Sequence, residues 1–144
     1  MSQPSRDPAA LSETAPLLVV SRFRVGDSER AAFLLDAGRA LEALSEQVGC
    51  RAASIGQSTD ESGLIAIRTE WTGVGSYRRA LSAFDVKVNA VPLLSSAIDE
   101  PSAYELVRHW TPEGLTVAPS GLAADAGAVG LGDASAPLVP PVTS

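Results

Sequence analysis

Between Leu17 and Trp110 the spacing of apolar residues changes in a fixed succession, and that succession limits the chain to few folds. Side chains alternate faces along a strand and recur every three or four positions along a helix, so period marks element type. In "LLVVSRFRV", Leu17, Val19, Phe23 and Val25 share one face, while Leu18, Val20, Arg22 and Arg24 share the other. That alternation predicts a strand. After Gly26, Asp27 or Ser28 can cap a helix to about Gln47, with Leu34, Ala37, Leu41, Leu44 and Val48 on its apolar stripe and Gly49 ending it. "CRAASIGQS" and "GLIAIRTEW" predict two strands joined by the polar turn "TDESG". A second helical region starts near Gly75 and is expected to break near Pro92. "SAYELVRHW" predicts a last strand.

The order β-α-β-β-α-β is the ferredoxin-like arrangement of α+β proteins, a four-stranded antiparallel sheet with two helices on one face. The helices are assigned to the row containing Leu17, Val19, Phe23, Ile65, Ile67, Thr69 and Trp71. The opposite rows mix Leu18, Val20, Leu64 and Ala66 with Arg22, Arg24, Arg68 and Glu70. A homodimer that stacks these faces would bury the aliphatic residues and let Glu70 pair with an arginine.

Eight of the ten prolines lie before Leu17 or after Trp110, which places the folded domain at residues 17–110. Residues 1–16 are expected to be disordered. Residues 111–144, rich in Ala, Gly, Pro and Ser and without an aromatic side chain, are likewise expected to be a disordered tail. Its scattered Leu and Val residues also suit a docking segment for a protein partner.

A net charge of −6 and no basic patch argue against nucleic-acid binding. No apolar run approaches the roughly 18–20 residues of a membrane span, and the N-terminus lacks a secretory pattern, so a cytoplasmic location is expected. Cys50 and His109 are the sole cysteine and histidine, which excludes an internal disulfide and a His/Cys metal cage within one chain. "TGVGSYRR" lacks the third glycine of a dinucleotide loop. Arg78 and Arg79 suit a solvated helix face, or a cavity mouth that attracts an anion.

With "SRF" in the first strand and "EWTGVGSYRRALSAFD" joining the third strand to the second helix, residues Leu17 to Val107 resemble the antibiotic biosynthesis monooxygenase domain family. Its members are small dimeric α+β barrel proteins with a ligand cavity between helices and sheet. Some oxidise polyphenolic, quinone-forming substrates with molecular oxygen and neither metal nor flavin. The resemblance therefore implies a homodimeric, cofactor-independent monooxygenase acting on a small aromatic molecule. It implies Trp71 and Tyr77 as catalytic donors to a substrate oxygen, Phe23, Phe33 and Phe84 as aromatic walls, and Ser21 and Thr69 as nearby polar groups. Two departures stand out. Quinone-forming relatives add an asparagine where this chain has Ile67, and the asparagine, tryptophan and histidine of haem-degrading relatives correspond to Ser21, Ala80 and the Asn89 or Ala90 region. The missing histidine excludes haem ligation. The alternative is a non-catalytic ligand-binding or accessory protein of the same fold that uses its tail as the docking element.

Overall fold

The structure, a computed structural model, describes residues 15–117. Strand β1 is Leu17–Arg24, β2 is Cys50–Gln57, β3 is Leu64–Trp71 and β4 is Ala103–Glu105, and they lie in the order β2-β3-β1-β4. All three pairings are antiparallel. The main helix, α1, is Arg30–Ser45, entered through a single 3-10 turn at Asp27–Glu29. Three shorter helices follow β3: α2 at Val74–Leu81, α3 at Phe84–Asn89 and α4 at Val91–Leu94. This is the ferredoxin-like α+β topology, with the second helix divided into three.

Strict alternation fixes β1 and β3 in register, with Leu17 opposite Trp71 and Phe23 opposite Ile65. The row assigned to the helix side is buried along its length, and the other row is half-buried in all but Arg24. A register slip of one residue would move every member of the apolar row to the wrong face, which is why the pattern specifies the pairing so strongly.

On α1 the small residues Ala37, Ala40 and Ala43 are buried together with Leu44. Lacking bulk, they let the helix axis lie close to the sheet, while Leu34 and Leu41 flank the contact half-buried. Val48 lies beyond the helix end and is 90% exposed, so it does not belong to the stripe. Two groups of buried side chains make up the core. One gathers Leu17, Val19, Leu44, Trp71, Val86 and the alanines beside them, and the other gathers Phe23, Ala37, Ile65 and Ile67.

Gly49, at φ 96°, turns the chain from α1 into β2. A Cβ there would lie 2.5 Å from the Ser76 Cβ, so only glycine fits.

Two expectations about the elements need correction. The second helical region breaks first at Ser82–Ala83, where Ala83 is extended, and again at Ala90. The break at Ala90 is the one expected near Pro92, which lies in the first turn of α4, where the missing N–H removes no helical hydrogen bond; the break at Ser82–Ala83 was not expected. The last strand is also shorter than "SAYELVRHW". Leu17 pairs with Glu105, so past Glu105 the chain has run beyond the first residue of β1 and has no edge left to follow.

Two compact units result, Pro16–Glu105 and a second that includes the chain from Leu106. In the latter, β5 (Arg108–Thr111) pairs with β6 (Gly114–Val117) as a hairpin, with Trp110 opposite Leu115. Residues 111–117, expected in the tail, are therefore part of a hairpin. The remaining terminal segments, 1–14 and 118–144, lie outside the described residues. Among the described residues no helix is long and apolar enough to cross a membrane.

Candidate functional site

The cavity follows from the shortness of β4. Because β4 covers β1 only as far as Val19, the rest of that edge is met by the segment leading out of α4. The Val20 amide donates to the Ser102 carbonyl at 2.8 Å, and the Ile98 amide donates to the Arg22 carbonyl at 2.8 Å. Between these anchors runs the segment Asp99 to Pro101. A two-pronged ion pair holds it: Arg22 Nε donates to Glu100 Oε2 at 2.7 Å and Nη2 donates to Oε1 at 2.8 Å. This fork raises the Arg22 pKa and holds the Glu100 carboxyl below its ordinary range.

Helices α2 to α4 close the other side. The result is a cavity of about 720 Å³ lined by Val20 and Ser21 of β1, Tyr77 and Leu81 of α2, Lys87 of α3, Val91 and Leu94 of α4, and residues of the 95–102 segment. Its size is within the range of small-molecule sites. Tyr77 and Leu81, four residues apart, and Val91 and Leu94, three apart, are neighbours on their helices.

Tyr77 is the aromatic side chain of this wall. Burial pushes its pKa above the ordinary tyrosine value. A phenol in that state keeps its proton at neutral pH and serves as a hydrogen-bond donor. Among the described residues its hydroxyl has no hydrogen-bond partner, and neither does the buried Ser21 hydroxyl. Two hydroxyls without protein partners, one from the sheet and one from the helices, suit a ligand carrying oxygen atoms.

Trp71 is placed differently from the expectation that its indole donates to a substrate. Its side chain is fully buried behind the cavity wall, and Nε1–H donates to Thr69 Oγ1 at 2.8 Å. Both residues belong to the buried row of β3, two positions apart, so the hydroxyl lies where the indole can reach it. The indole packs against Tyr77 instead, with ring centroids 5.4 Å apart and planes inclined at 50°. Trp71 is thus a buttress for the tyrosine, and Thr69 is a support for Trp71.

The expected aromatic walls are not those of this cavity. Phe23 and Phe33 pack on each other at 5.1 Å in the second core group. Phe84 opens α3 and is 81% exposed, because the extended Ala83 redirects the chain just before it. Within one chain Glu70 already pairs with an arginine, Arg68 of the same strand. Arg78 and Arg79 are exposed and do not line the cavity. The cation that does is Lys87, which the sequence analysis passed over although it is the only lysine in 144 residues. Among the described residues no three His, Cys, Asp or Glu side chains come together as a metal site.

By sequence, no family model and no curated protein matches this chain. By structure it is similar to SnoaB, a cofactor-independent oxygenase from Streptomyces nogalater, at 21% identity and a TM-score of 0.57, over 68% of this chain and 98% of that one. It is similar to a "putative antibiotic biosynthesis monooxygenase" from Chloroflexus aurantiacus J-10-fl at 18% identity and a TM-score of 0.52, over 65% and 94%. A conserved protein from Methanosarcina mazei Go1 is similar at 20% identity and a TM-score of 0.54, over 65% and 95%. These likenesses define a class of fold: the chain has the antibiotic biosynthesis monooxygenase fold.

Proposed function

We propose that the protein is a cofactor-independent monooxygenase that oxidises an aromatic or polyphenolic metabolite with molecular oxygen. The observation that carries this reading is the Tyr77 hydroxyl, protonated, without a protein partner, and set in a cavity it shares with Leu81, Val91 and Leu94. Similarity of fold to an enzyme described as a cofactor-independent oxygenase supports it.

The chemistry asks little of the protein. A phenolic substrate with an activated methylene loses a proton, and the resulting anion passes an electron to oxygen. Recombination places both oxygen atoms on that carbon, and loss of water leaves a carbonyl, so CH₂ and O₂ become C=O and H₂O. Tyr77 donates to the substrate oxygen on which charge develops, and the Ser21 hydroxyl offers a second contact. Leu81, Val91 and Leu94 keep bulk water away from the anion. Trp71 holds the Tyr77 ring and does not touch substrate.

Oxygen uptake with anthrone- and naphthol-type phenols tests the proposal. Tyr77→Phe is expected to lower kcat by about a hundred- to a thousandfold, the range for loss of one donor to a developing oxyanion. Equal rates for wild type and variant would remove Tyr77 from the mechanism. The Trp71–Thr69 hydrogen bond, which leaves the indole with no proton for a substrate, favours a second reading as a ligand-binding protein. Thermal stabilisation by the same phenols without oxygen uptake is its signature.

The reading includes a homodimer. On the sheet face away from α1, Leu18, Val20, Leu64 and Ala66 are half-buried and stand opposite Glu70, Arg68, Arg24 and Arg22, and a second copy is the partner that would cover this mixed row. Light scattering with size exclusion is expected to give twice the chain mass of 14.8 kDa, and a monomer at micromolar concentration would sink this part.

A further inference from the structure

Lys87 stands apart from every other basic residue of the chain. The ten others are arginines, and among the described residues Lys87 is the one basic side chain that lines the cavity. It follows Val86, which is fully buried, so the backbone beneath it is anchored in the core. Its ammonium has no carboxylate within ion-pairing distance among the described residues. Two of the nearby carboxylates already have partners. Asp85 accepts from the Asn89 amide at 2.7 Å, and Glu100 has both oxygens on Arg22. Asp99 also lines the cavity but makes no pair with Lys87. The cavity therefore holds an exposed, uncommitted cation in the same lining as Leu81, Val91 and Leu94.

We propose that Lys87 is the charge partner of an ionised acidic group on the ligand, so that the cavity selects anionic aromatic compounds over their neutral isosteres. The proposal rests on the reading above that the cavity takes an aromatic ligand, and it holds whether or not that ligand is oxidised. Asp99 sets the geometry: the acidic group must lie on the Lys87 side, with neutral hydroxyls toward the aspartate.

Binding of 2-naphthoate and 2-naphthamide to the full chain, at pH 7 and low salt, tests it, because the two probes share shape and differ in charge. Wild type is expected to prefer the naphthoate about tenfold, a preference that shrinks as salt screens the pair. Lys87→Met is expected to abolish the preference while leaving the naphthamide affinity unchanged, and Lys87→Arg to keep most of it. Lys87 is also the only side-chain amine, so naphthoate, and not naphthamide, should slow its acetylation by acetic anhydride in a peptide map. Equal affinities in wild type, or a preference that survives Lys87→Met, overturns the proposal and leaves the aromatic cavity standing. Failure of both probes to bind overturns the proposal and the aromatic reading of the cavity together.

Discussion

A buried indole N–H without a partner is costly, and Thr69 is the residue that prevents this in the core of the protein. Its hydroxyl lies 2.8 Å from Trp71 Nε1, and both side chains are almost wholly shielded from water. Thr69→Val keeps the shape and removes the acceptor. We expect it to cost about 1–3 kcal/mol, the penalty of an unsatisfied buried donor, measured by urea unfolding. If turnover depends on the angle at which Trp71 holds the Tyr77 ring, the same variant lowers kcat with little change in KM. An unaltered stability would show that the indole finds another acceptor. Trp71 and Tyr77 were legible as a pair from the alternation and the helix start. Their separate roles were not, because the Thr69 contact depends on which rotamer the indole adopts.

At the scale of elements, the strands were read from two-residue alternation, the strongest periodic signal in this sequence. The break at Ser82–Ala83 was not. Ser82 and Ala83 carry no glycine or proline, and the extended turn there exists because Val86 and Ala90 pack into the core on a new axis. Most of the cavity wall was invisible for a related reason: the Arg22–Glu100 fork joins residues 78 apart, and no local pattern reports such a contact. That fork has a consequence in acid. The Glu100 pKa is lower in the folded chain than in the unfolded one, so its contribution is present above the ordinary carboxylate range and is lost as pH falls through the folded value. Melting temperature should therefore drop less steeply between pH 5 and about pH 3 in Arg22→Met than in wild type. Parallel curves would show that the fork does not hold the 95–102 segment. Gly49 is the second test at this scale. Gly49→Ala must accept φ 96° and a Cβ 2.5 Å from Ser76, and we expect a loss of about 1–3 kcal/mol or more. Gly49→Ala with Ser76→Gly relieves the contact and should recover part of that loss.

For the whole molecule, the division at Glu105 separates a unit with its own core from a two-stranded hairpin, and two strands alone are seldom stable in water. Both core groups, the cavity and the Arg22–Glu100 fork lie within Pro16–Glu105. A chain ending at Glu105 should therefore fold cooperatively. The two tryptophans make the test direct, because Trp71 is 0% exposed and Trp110 is 69% exposed. Truncation removes Trp110, so the emission should shift to shorter wavelength and report Trp71 alone. In urea it should move to longer wavelength in one transition, at a midpoint close to that of the full chain. If the truncated chain instead shows water-exposed emission without denaturant, the residues beyond Glu105 are required for the core to form, and the cavity cannot be ascribed to the first unit by itself.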